Sequence, residues 1–228
     1  MNEDLRSVPG RILGLARAAL TQANHHAVFM DPGNEHWPLM SVLNAAHAGE
    51  LFLKAIIATE HPLLIFKDIV ALDDGKLDEL DLGRLLMRGR THDFEKLPQV
   101  LWATTGLRIP NPDCYEHLRQ ARNAIQHFCP PDNRDLSELS LEFIYTVLDP
   151  LIAERFGIYA IEHHEDHNVS YDYVVACLLR HELRFSLPAD FAVTEIDLDK
   201  EVGAASGEYR IWFREALARI NKSNLLKA

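Results

Sequence analysis

Apolar residues recur at helical spacing along most of this chain and alternate only briefly, a pattern that predicts an all-α protein. Arg11 to Phe29, after Pro9-Gly10, is rich in Ala and Leu and predicts a first helix, closed by the turn residues Asp31-Pro32-Gly33-Asn34. Pro38 to Glu60 predicts a second, stopped by His61-Pro62, with Leu39, Val42, Leu43, Ala46, Leu53 and Ile57 along one stripe. Residues 62–72 are apolar without a deciding period, so helix and buried extended chain both stay open there. Leu77 to Met87 has a helix-like pattern ended by Gly89, and Thr91 is placed to cap a short helix through Trp102 that Pro98 interrupts. Pro130-Pro131-Asp132-Asn133 is a firm break, after which Leu136 to Phe156 predicts a long helix bent at Pro150. Tyr171 to Phe185 and Glu208 to Ile220 predict two more helices, and Phe191 to Leu198 alternates as a short strand does.

Asn111 to Phe128 is the best-marked helix. Asn111 and Asp113 are both N-cap residues, Pro112 suits a first-turn position, and Glu116 follows Asp113 at capping-box spacing. At 100° per residue Cys114, Leu118, Ala121, Ile125 and Phe128 share an apolar arc, opposite Arg119, Arg122, Asn123, Gln126 and His127.

That polar side carries the candidate chemistry. An imidazole titrating near neutrality, as at His127, can take the proton of a ribose 2'-hydroxyl or protonate a leaving oxygen. A guanidinium fork, as at Arg122, can hold a phosphodiester and the charge that develops on it. Spacing alone says little, because 16 Arg and 12 His in 228 residues give about one Arg-x4-His pair by chance. A second polar feature stands out upstream, where Glu50 interrupts the apolar stripe of its helix. A carboxylate there needs a partner, and Lys54, four residues on, is the nearest candidate. Orienting Arg122 or His127 from across a helix interface is the functional alternative for Glu50.

The segment Arg122-Asn123-Ala124-Ile125-Gln126-His127 resembles the signature of the HEPN superfamily, an Arg-x(4–6)-His motif with a polar residue directly after the Arg. His47-Ala48-Gly49-Glu50-Leu51-Phe52-Leu53-Lys54-Ala55 is similar to the early helix of that family, which carries an acid followed by a lysine. Thr91-His92-Asp93-Phe94-Glu95-Lys96-Leu97 resembles its His-Asp-Leu-x-x-Leu segment. The resemblance spans roughly residues 38 to 157. Outside that span the apolar pattern predicts an N-terminal helix (1–37) packed on the bundle and, over 158–228, a mostly helical C-terminal extension with room for one short strand or hairpin. The resemblance implies an antiparallel HEPN-type helical bundle over 38–157. It also implies a metal-independent endoribonuclease that cuts single-stranded RNA and leaves a 2',3'-cyclic phosphate, serving as a toxin or an anti-phage defence component. Arg122, Asn123 and His127 would be catalytic, with Glu50, Lys54, Arg119 and Gln126 as the substrate-binding or supporting set. A homodimer with facing motif helices, and an antitoxin partner, belong to the same expectation. The family also contains members that do not cut RNA, so a non-catalytic dimerisation or nucleotide-binding module is the alternative. A small-molecule enzyme with its site in the C-terminal extension is a third.

Charge and composition narrow the classes. A formal charge of −11 argues against coating nucleic acid by bulk electrostatics, so RNA would need a local basic site, for which Arg84, Arg88 and Arg90 join Arg119 and Arg122. Cys114, Cys129 and Cys177 show no Cys-x-x-Cys spacing, which suggests neither a disulfide framework nor a zinc site and fits a reducing compartment. His163-His164-Glu165-Asp166-His167 lacks the His-Glu-x-x-His spacing that puts two imidazoles on one helical face. No metal or cofactor is therefore expected. The acidic start and the lack of any apolar run near ~20 residues predict no membrane association and a cytoplasmic location.

Overall fold

A computed structural model describes residues 3–29, 31, 33–67, 85, 88–129, 135–164 and 170–227. The protein is all-α, and among the described residues there is no strand. The helices are α1 (Glu3–Val28), α2 (Trp37–Glu60), α3 (Leu97–Thr105), α4 (Pro112–His127), α5 (Leu136–Phe143), α6 (Asp149–Phe156), α7 (Asp172–Arg180), α8 (Leu198–Ala204) and α9 (Gly207–Arg219). No helix among the described residues is long and apolar enough to cross a membrane.

Helix α1 begins eight residues earlier than the composition predicts and carries Pro9 inside it. An interior proline costs about 3 kcal/mol. The burial of Leu5 and Val8, 7% and 3% exposed, offsets that cost by anchoring the early turns.

The chain divides into two compact units, Met1–Ala18 with His47–Ile109, and Ala19–Ala46 with Pro110–Ala228. In the first, Phe52, Leu53, Ile56 and Ile57 of α2 are buried, as are Phe66, Phe94, Leu97 and Leu101. Residues 62–67, ambiguous by periodicity, form a 3-10 turn, Pro62–Ile65, and then an isolated antiparallel bridge from Phe66 to Thr91. The bridge is flanked by Lys67 N–H to Arg90 carbonyl, 2.8 Å, and His92 N–H to Ile65 carbonyl, 2.9 Å. Thr91 is therefore not the helix cap its position suggests. The helical stretch starts after Asp93 with the turn Phe94–Lys96, and Pro98 opens α3 instead of interrupting it. In a first turn its missing N–H leaves no hydrogen bond unmade. Gly89 is required here, since a Cβ on it would lie 2.5 Å from the Leu85 carbonyl oxygen and 2.6 Å from the Phe66 ring. Of the Leu77 to Met87 stretch only Leu85 is described.

In the second unit α4 packs on α5 and on the π-helical turn Ile144–Leu148 that joins α5 to α6. The predicted bend at Pro150 is thus replaced by an extra residue in the hydrogen-bond ladder just upstream, while Pro150 sits in the first turn of α6. A buried polar network ties this helix to its surroundings. Tyr145 donates to Asn24 Oδ1 at 3.0 Å, and Asn24 Nδ2 donates to the Ala160 and His163 carbonyls, each at 3.0 Å. Asp149, 0% exposed, accepts the Ala160 N–H at 2.9 Å and the Ser186 N–H at 2.5 Å. Burial pushes its carboxyl up to about 6, against the pull of those two backbone donors.

The alternating stretch from Phe191 to Leu198 is not a strand. Its backbone donors at Thr194 and Glu195 turn to the Asp172 carboxylate, and Leu198 opens α8 behind the Asp197 cap. Helix α7 is shorter than predicted, ending at Arg180 before a turn in which Glu182 takes φ +52°. The break at Pro130 to Asn133, Arg84, and Glu165 to His167 lie outside the described residues.

Candidate functional site

Helix α4 is positioned at its start by one residue. The Asn111 side-chain oxygen accepts the Cys114 N–H at 3.2 Å, and its amide donates to Thr146 of the π turn at 3.0 Å. Asn111 thus caps the helix and fastens it to the neighbouring one. The capping box suggested by Asp113 and Glu116 does not supply the cap, because Glu116 serves Arg119 and Gln120 instead. Cys114, Tyr115, Leu118 and Ala121 form the buried face, with the Tyr115 ring 5.9 Å from that of Phe143. Ile125 is half-buried, and the arc does not extend to Phe128, which is 89% exposed.

The two arginines of the polar side are in different states. Arg119 is held in a two-pronged pair by Glu116, Nε to Oε2 at 2.8 Å and Nη2 to Oε1 at 2.6 Å. That guanidinium, followed by the Gln120 amide, holds the Glu116 carboxyl down at about 2. Arg122 instead gives one hydrogen from Nη1 to the Asn123 side-chain oxygen, at 3.1 Å, and among the described residues no carboxylate pairs with it. Most of its five donors remain available to a ligand. Arg122 and Asn123 are half-buried, whereas Gln126 and His127 are exposed. His127 follows Arg122 by five residues, about 7.5 Å along the axis and about 140° around it. The two side chains therefore leave the helix in different directions. No family model, no curated protein and no solved structure matches this chain.

Glu50 and Lys54 belong to the first unit and Arg122, Asn123 and His127 to the second. Lys54, 6% exposed, donates to Glu50 at 2.5 Å and to the Thr91 hydroxyl at 2.8 Å. The Thr91 contact was not visible in the sequence, since 37 residues separate the partners. Nearby, burial and then the ammonium groups of Lys67 and Lys54 hold the His92 imidazole below its ordinary value. Lys67 pairs with Asp93. Arg88 and Arg90 are exposed. Among the described residues no group of three or more His, Cys, Asp and Glu is placed to hold a metal ion.

These contacts give Glu50 a structural task, that of neutralising a buried ammonium. Glu50→Gln removes the charge but keeps a hydrogen-bond acceptor, so a loss of about 1–3 kcal/mol is expected, about 2–12 °C in melting temperature. Activity per folded molecule should stay within about twofold. Unchanged melting would contradict that structural task.

Proposed function

We propose that this protein is a metal-independent endoribonuclease that cuts single-stranded RNA, working as a toxin or an anti-phage defence component. The observation that carries the reading is the contrast on α4. Arg119 is held by Glu116, while among the described residues no carboxylate pairs with the fork of Arg122, which Asn123 steadies, with an exposed His127 five residues on. The all-helical fold and the HEPN-like motif support it. In this reaction His127 takes the proton from the ribose 2'-hydroxyl, the 2'-oxygen bonds to phosphorus, and the 5'-oxygen leaves with a proton from a second acid. The products are a 2',3'-cyclic phosphate and a 5'-hydroxyl. Arg122 holds the non-bridging oxygens as their charge grows, and Asn123 fixes the direction of the fork. Because every step uses side chains of the motif, cleavage of unstructured RNA should survive EDTA. Activity lost in EDTA and restored by a divalent ion would overturn the mechanism, and bound nucleotide without turnover would favour a non-catalytic module.

The reaction needs an acid as well as a base, and one copy of α4 offers one His127. A two-fold dimer with facing α4 helices supplies the second, one histidine of the pair acting as base and the other as acid. Mixed dimers of wild-type and His127→Ala chains should then keep far less than half the wild-type rate. Half activity, or a fully active monomer in sedimentation, would refute the shared site.

A further inference from the structure

Phe128 stands where the apolar arc of α4 should continue into the core, yet it is 89% exposed, more than any other large apolar residue among those described. The cause is local. Its backbone, φ −140° and ψ −92°, leaves the helix while its N–H still closes the last turn on the Ala124 carbonyl at 2.8 Å. The ring is thereby turned away from the buried face and set beside His127, centroids 6.5 Å apart with the planes at 69°.

We propose that Phe128 binds substrate by stacking on an unpaired nucleobase of the RNA strand whose phosphate lies at Arg122 and His127; this rests on the ribonuclease reading. Three observations favour a base as the occupant. The ring directly follows the proposed acid–base residue, so a base stacked on it would hold the adjoining sugar and phosphate near the imidazole. The chain carries a formal charge of −11, and stacking provides affinity for a single strand that overall electrostatics cannot. The two residues before it, Gln126 and His127, are polar and exposed, a setting that suits a solvated nucleic-acid strand. Stacking tolerates every base, which makes the expected preference one for single strands over duplexes rather than for a particular sequence.

The test is the affinity of the full chain for a single-stranded RNA oligomer methylated at every 2'-oxygen, which cannot be cut by 2'-hydroxyl attack. Phe128→Ala and Phe128→Leu should both weaken binding about 5- to 150-fold, the range of one base–aromatic stack, and Phe128→Trp should bind within about twofold of wild type. Wild-type affinity in the Ala variant would overturn the proposal. So would wild-type affinity in the Leu variant, which keeps apolar contact without a π-face. A loss of binding that follows dissociation of a dimer in sedimentation would assign Phe128 to a subunit contact and overturn it as well. Cleavage of unmodified RNA is scored separately. A wild-type chain that binds the methylated strand through Phe128 but cuts nothing would sink the ribonuclease reading while the stack stands.

Discussion

His127→Ala should lower RNA cleavage by about 10²- to 10⁴-fold, the usual contribution of a general acid–base residue, with no measurable loss of fold. His127 is exposed in the last turn of α4, and among the described residues its ring contact is with Phe128, which is itself exposed. Substitutions at such positions stay within about 0.5 kcal/mol, at most about 2 °C for a chain of this length. Arg122→Lys is the companion variant, for it keeps the charge and loses the fork and the Asn123 contact. If planar two-point holding of the phosphate matters, it should be nearly as impaired as Arg122→Ala. A His127→Ala protein that melts normally and cuts at the wild-type rate would remove His127 from the chemistry.

Asp149→Ala is expected to be the most destabilising of the substitutions considered, and its cost should depend on pH. The variant leaves the buried Ala160 N–H and the half-buried Ser186 N–H without their acceptor, a loss of about 2–6 kcal/mol for the two. In the folded protein this carboxyl is raised to about 6 from 3.8, so the native state holds its proton more tightly than the unfolded chain does. Stability contributed by the neutral carboxyl is fully present below about pH 4 and declines as pH rises through about 6. The decline is up to about 3 kcal/mol, from 1.36 kcal/mol per unit. The Ala variant has no such dependence at this position. The stability gap between wild type and variant, measured by urea unfolding, should therefore narrow between pH 4 and pH 7. A gap that widens over that range would contradict a carboxyl whose proton is held more tightly in the folded state.

The parts of the fold that depend on local patterning were readable from residue types. The span of α2 and the extent of α4 followed from apolar periodicity and from the Asn111 cap, which act within a few residues. What escaped was decided by distant partners. Phe191 to Leu198 has a strand's alternation, but its donors meet the Asp172 carboxylate from another segment. Thr91 has a cap's chemistry, yet it pairs with Phe66 and receives Lys54. The extra residue of the π turn leaves no trace in a 3.6-residue pattern, because the side chains on either side still face the core. In the site, sequence reasoning singled out Arg122, Asn123 and His127. It did not use the spacing that separates the two arginines, with Glu116 three residues before Arg119 and no acid within four residues of Arg122. Nor could periodicity reveal that Phe128 leaves the apolar arc, because that turns on the backbone of a single residue at the helix end.

The most direct test of the central claim is the chemistry of the cut ends. Single-stranded RNA incubated with the wild-type chain in EDTA should yield fragments ending in 2',3'-cyclic phosphate and beginning with 5'-hydroxyl, and the same incubation with His127→Ala should yield none. Fragments carrying 3'-hydroxyl and 5'-phosphate ends, or cyclic ends produced equally by the His127→Ala chain, would contradict it.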